Sequence, residues 1–270
     1  MSTLGNCYIH FGELLQTATH NRKVPHKSVY VASKVPHKSV LIFQKVPHKN
    51  VIYFAISLIF SIFAPKEQVV RINQVWNSIP SQLAKENKKF IYGVVKQGAR
   101  AKDYELAIQW LIDAGLVYKI SRVKTLGLPL KIHEDVSAFK LYLLDCGLLG
   151  AMSKTPPAML LLPSNDNTGK GDFTENFICC QLESLRQIPI YYYSKENSQL
   201  ELDFVIQAGM QVIPVEVKAE ENLQSKSLKA TIAKYPGMKG LRFSMSDYRE
   251  QDGITNVPLY GARGYLETFI

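Results

Sequence analysis

Asp203 and Glu216 are the residues in this chain whose types and spacing suggest chemistry. They lie in the stretch Leu200 to Lys218, LELDFVIQAGMQVIPVEVK, which alternates in character on either side of Gly209-Met210. Such alternation around a short glycine-containing turn predicts a hairpin, with strands from Leu200 to Gln207 and from Gln211 to Ala219. A two-residue turn at Gly209-Met210 places Asp203 directly opposite Glu216, and Lys218 shares their face because strand side chains alternate. Two carboxylates about 5 Å apart across a strand pair repel by roughly 3 kcal/mol at an effective dielectric near 20. A hard divalent cation between them reverses that sign, since Mg²⁺ is held by one or two carboxylates with waters and phosphate oxygens. The residues alone leave two readings open, a metal site and a solvated hairpin face.

The elements that must position this hairpin are legible on both sides. Upstream, Asp172 or Thr174 can cap a helix with the apolar stripe Phe173, Phe177, Ile178, Leu182 and Leu185. Glu175 then falls in the first turn, where the helix dipole favours a carboxylate. A strand from Ile190 to Tyr193 follows, then the hairpin, a helix from Ser225 to Tyr235, a strand from Gly240 to Met245, and a last strand and short helix around Leu259 to Phe269. The order is helix, three strands, helix, strand. Ser153 to Asp172, rich in Pro, Asn and Gly, reads as the connection in front of this unit.

Before that connection, Val69, Ile72, Val75 and Trp76 fall at helical spacing, with Pro80 expected to end the helix. Ser81 can cap a second helix. A third has Asp103 as its cap, Tyr104, Ala107, Ile108 and Leu111 as its stripe and Gly115 as its terminator. The β-prone segments Leu116 to Val123 and Leu128 to Ile132, then Phe139 to Leu144, complete a winged-helix outline. Lys85, Lys88, Lys89, Lys96, Arg100 and Lys102 form a basic cluster just before and into the third helix, suited to phosphate contacts. The outer face of that helix offers only Glu105, Gln109 and Asp113 toward base edges. Protein packing and non-specific DNA contact therefore remain as equal readings.

The net charge is +9, but residues 1–66 hold Arg22 and seven lysines against the single acid Glu13, so +7 of it lies there. The body of the chain is close to neutral. In that first segment an eleven-residue unit recurs three times, at Lys23–Ser28, Lys34–Ser39 and Lys45–Asn50, each with a Val-Pro-His-Lys core. The proline in each copy interrupts a helix and the unit is shorter than a solenoid turn. A tandem repeat in DNA carried into the reading frame is the expected origin. The apolar run Val51 to Ala64 has fourteen residues, against about 20 for a membrane-spanning helix. The four cysteines lack metal-ligand spacing, and the amino terminus lacks the layout of a signal peptide, so a reducing cytoplasm is expected. The expected organisation is a repeat-containing segment at 1–66 that is not a folded domain, a winged-helix-like domain at 67–155 and a second domain at 156–270. The fold class is mixed α/β (α+β).

The order Glu175, Asp203, then Glu216-x-Lys218 on an αβββαβ core resembles the PD-(D/E)XK nuclease superfamily. GDFTENF, ELDFV and IPVEVKAEENLQSKSL, with IPSQLAKENKKFIYGVVKQGARAKDYELAIQWLIDAGLV and FKLYLLDCGLL upstream, resemble the carboxy-terminal half of a bacterial and archaeal family of AAA-type ATPases. That half is a domain of unknown function with a nuclease-like fold. The resemblance spans Glu67 to Ile270 and implies metal-assisted phosphodiester hydrolysis. Asp203 and Glu216 would hold Mg²⁺, or Mn²⁺, with the Val217 carbonyl and Glu175 completing the protein ligands, and Lys218 would orient the nucleophile or neutralise developing charge. No G-x-x-x-x-G-K-[ST] sequence occurs, so no ATP site is expected, and the chain reads as a truncated or rearranged product of such a gene. Expected partners are nucleic acid bound non-specifically and no stable membrane association, with any protein partner unknown. The competing reading is a non-catalytic interaction module.

Overall fold

The computed structural model describes residues 28–34, 41–47, 56, 59–156, 159, 169–195, 200–220 and 224–270. Most of residues 1–66, including half of the apolar run 51–64, lies outside the described residues. Within the repeats, β1 (Ser28–Lys34) and β2 (Leu41–Pro47) pair antiparallel. No helix among the described residues is long and apolar enough to cross a membrane.

The fold is mixed α/β. Helix α1 (Lys66–Leu83) buries Ile72, Val75, Trp76, Ile79 and Leu83. Pro80 does not end it, contrary to the expectation from the sequence, and no separate helix starts at Ser81, whose hydroxyl donates to the Ser78 carbonyl. A proline inside a helix costs about 3 kcal/mol. Ile79 and Leu83, flanking it, are fully buried and stabilise by roughly 1.5–3 kcal/mol each, which offsets the loss. A four-residue helix α2 (Tyr92–Val95) and helix α3 (Ala101–Asp113) follow. Tyr104, Ala107, Ile108 and Leu111 form the buried stripe of α3 as expected, and Gly115 ends it at φ 69°. Asp103 is not the cap but the third helical residue, its carboxylate accepting the Arg100 N–H at 3.0 Å.

Strands β3 (Val117–Val123) and β4 (Glu134–Leu143) pair antiparallel. The expected strand at Leu128–Ile132 is instead a turn and a 3₁₀ segment, Leu130–His133, which leads into β4. After α4 (Cys146–Ser153) comes α5 (Lys170–Glu183), then β5 (Ile190–Ser194), β6 (Glu201–Ala208), β7 (Gln211–Val217), α6 (Lys226–Lys234), β8 (Gly240–Ser244), β9 (Arg249–Gln251), β10 (Ile254–Pro258) and α7 (Ala262–Leu266). The expected helix, three strands, helix, strand order is present.

Strands β3 to β10 make one mixed sheet, in the order β4-β3-β5-β6-β7-β8-β10-β9. The two halves of the chain share it, because Arg122 and Val123 of β3 pair in parallel with Tyr192 and Tyr193 of β5. One apolar cluster joins α1, α3 and α5 to Tyr142, Phe204 and Val215, and a second gathers Leu202, Val205 and Leu228 with the partly buried Ile232. Strand β7 touches both α5 and α6. The chain segment carrying Glu216 and Lys218 is therefore held from both sides of the sheet.

Candidate functional site

The β6–β7 hairpin turns at Gly209, whose φ of 56° lies in the left-handed region that glycine adopts without strain. Its ladder runs from Ala208↔Gln211 to Phe204↔Val215, the register that sets Asp203 across from Glu216. The regular pairing stops there. In place of the next ladder bond, the Asp203 carboxylate accepts the Val217 N–H at 2.7 Å, while the Lys218 N–H turns to the Phe243 carbonyl on β8 at 2.8 Å. On its other edge β6 is bulged: Val205 pairs with Tyr191 and Leu202 with Tyr193, so Asp203 and Phe204 together stand against Tyr192. Bulges of this kind re-aim a side chain and bend the strand. Asp203 sits at the point where the strands part.

Glu175 reaches the same place from α5. The helix begins earlier than Asp172, after Gly169 at φ 91°, so Glu175 lies in the second turn, and the dipole argument for an acid in the first turn applies to Asp172 instead. Asn176, fully buried, exchanges hydrogen bonds with the backbone of Leu143, accepting its N–H at 2.8 Å and donating to its carbonyl at 3.0 Å. This side chain mimics a strand and docks α5 on β4. One Glu175 oxygen takes the Lys88 ammonium at 2.8 Å, and the other accepts the Tyr142 hydroxyl at 3.1 Å. Lys88 also lies 3.6 Å from Asp172. Glu216 pairs with the Lys218 ammonium at 2.6 Å.

Asp203, Glu216 and Lys218 each feel the charge of Glu175. Burial, then the charges of Glu175 and Glu216, push the Asp203 carboxyl well above the usual range, against the pull of Lys140 and the Val217 N–H. Burial likewise raises Glu216, with Glu175 adding to it and Lys218 opposing it. Burial works against the Lys218 ammonium, but Glu216, Asp203 and Glu175 together hold its pKa above the ordinary value. Burial is the main cause for both acids, and the nearby carboxylates add to it. Glu216 and Lys218 line an open pocket of about 460 Å³, with Gly171, Gln224, Lys226 and Ser227 on its walls. Asp203 and Glu175 do not line it.

Three groups of the site escape sequence reading. Lys88 belongs to the basic cluster expected to face phosphate, yet its side chain is 11% exposed and turned inward to Glu175. Lys140, 1% exposed, crosses to Glu201 at 2.7 Å and lies 4.9 Å from the centre of the Tyr192 ring. Tyr142 is fully buried. The alternation of β4 placed Lys140 and Tyr142 on one face, the only available signal, but nothing local distinguishes that face from a wet one. Among the described residues, no group of three or more His, Cys, Asp or Glu side chains is arranged to hold a metal ion. Glu175 is spent on Lys88 and Tyr142, and Glu216 on Lys218.

Residues 60–158 match a domain of unknown function (DUF8612), and residues 170–261 match another domain of unknown function (DUF4143), one found in AAA-ATPase-associated proteins. No curated protein and no solved structure matches the chain.

Proposed function

We propose that the chain carries a metal-dependent phosphodiester hydrolase site of the PD-(D/E)XK kind, and that it is the carboxy-terminal part of an AAA-type ATPase family protein, acting on nucleic acid without sequence preference. The observation that carries this reading is the placement of Asp203 opposite Glu216 at the parting of β6 and β7, with the Lys218 ammonium 2.6 Å from Glu216. A fold selected for stability alone has no use for two partly buried carboxylates that repel each other.

Asp203, Glu216 and the Val217 carbonyl are hard oxygen donors, the kind that Mg²⁺ or Mn²⁺ takes. When bound, such an ion supplies an activated water and a counter-charge for the phosphorane. The chain's own part is positional. The Asp203 carboxylate, fixed by the Val217 N–H, keeps one oxygen on the backbone of the strand that bears Glu216 and Lys218. Lys218, whose side chain is 34% exposed, stands at the pocket where a phosphate would enter and can donate to a non-bridging oxygen. Lys226 on the pocket wall adds a second positive charge for the backbone of the nucleic acid.

A non-catalytic interaction module is the second reading, favoured by one observation: Glu175 and Glu216 are each already paired with a lysine. The deciding experiment is Mg²⁺-dependent cleavage of DNA and RNA by protein freed of contaminating nuclease, with Asp203→Asn and Lys218→Ala as controls. Loss of cleavage in both variants supports hydrolysis, and its absence in wild type across Mg²⁺ and Mn²⁺ supports the module.

A further inference from the structure

Lys88 enters the site from the other matched segment of the chain. Its loop is clamped at both ends, by reciprocal hydrogen bonds between the Gln82 side chain and the Ile91 backbone at 2.9 and 3.1 Å, and by the Phe90 N–H on the Phe139 carbonyl of β4 at 2.8 Å. Lys88 itself adopts φ 50°, a left-handed conformation uncommon for a residue with a β-carbon. Its neighbour Lys89 is exposed, whereas Lys88 is buried with its ammonium on Glu175. A buried lysine on a strained backbone persists only where surrounding structure fixes it, and such positions gather at functional sites.

Both Glu175 oxygens are committed, one to Lys88 and one to Tyr142. A divalent cation at Glu175 would meet the Lys88 ammonium 2.8 Å from one of the same oxygens, and the repulsion between the two positive charges weakens Glu175 as a ligand while Lys88 stays. We propose that Lys88 is a built-in counter-ion that holds Glu175 and competes with the divalent cation for it, which lets the first matched segment govern metal occupancy in the second. This inference rests on the metal-site reading above.

The test is calorimetric titration of the full chain with Mn²⁺ alone. Wild type should bind weakly, Lys88→Gln at least tenfold more tightly, and Lys88→Arg as wild type. The gain should vanish in the Lys88→Gln/Glu175→Gln double variant. Thermal melting guards against misfolding: if Lys88→Gln is unfolded without Mn²⁺, added Mn²⁺ should restore its transition, and failure to do so overturns the proposal. Equal Mn²⁺ affinity in wild type and Lys88→Gln also overturns it. Binding that Asp203→Asn abolishes while Lys88→Gln leaves unchanged would retain the metal site and reject only the competition. Absence of Mn²⁺ binding in every form rejects both.

Discussion

The carboxylate of Asp203 accepts the Val217 N–H at 2.7 Å, beyond the last regular pair of the hairpin. One side chain thus closes the ladder and faces Glu216 and Glu175 electrostatically. The two duties separate by substitution. Asp203→Asn keeps an oxygen for the N–H and removes the charge, so its stability should stay within about 1 kcal/mol of wild type. Asp203→Ala leaves the N–H without its acceptor, a loss of about 1–3 kcal/mol set against the relief of repulsion. Urea unfolding of the two variants should rank Asn above Ala.

Acidification should stabilise the metal-free protein over part of the range. Asp203 and Glu216 have folded pKa values above their ordinary 3.8 and 4.5. A raised value means that the folded state holds the proton more tightly, so this contribution is present below the ordinary pKa and lost as pH rises through the raised one. Melting temperature should therefore climb as pH falls through the raised values toward the ordinary carboxylate range, and the slope should flatten in Asp203→Asn and Glu216→Gln. Asp135 acts oppositely and lower: despite the cost of burial, hydrogen bonds from Ser137 and Arg122 hold it at about 2, so its contribution is lost only below its ordinary 3.8.

Tyr142→Phe should cost about 1–2 kcal/mol, because Glu175 loses a buried donor while the ring volume is kept. Chemical denaturation measures it. Since Lys88 stays on the other oxygen, the fold and the Lys88 pair should survive.

Asn176→Ala should be costlier, about 2–4 kcal/mol, because it removes the two hydrogen bonds that dock α5 on Leu143. The same substitution should lower any metal affinity, as the helix that carries Glu175 loses its anchor. Unfolding curves and Mn²⁺ titration read the two effects separately.

What was legible in the sequence was local. Alternation around Gly209-Met210 set the hairpin register, and apolar spacing set the buried stripe of α3. The errors came where packing outweighed local signals. Pro80 is tolerated because Ile79 and Leu83 are buried on either side of it, and α5 starts at a left-handed glycine instead of a side-chain cap. The pairing of β3 with β5, which fuses both halves into one sheet, is a long-range parallel contact with no local signature. Lys88 was readable only as one of six basic residues, since nothing in its neighbours tells that it turns inward.

The central claim is hydrolysis at the Asp203–Glu216–Lys218 group. Its most direct test is the cleavage of single- and double-stranded DNA and of RNA by purified wild type and Asp203→Asn, with Mg²⁺ or with chelator. Cleavage that requires Mg²⁺ and disappears in the folded Asp203→Asn protein is the expected result. Cleavage that persists undiminished in Asp203→Asn, or none by wild type with either Mg²⁺ or Mn²⁺, would contradict it.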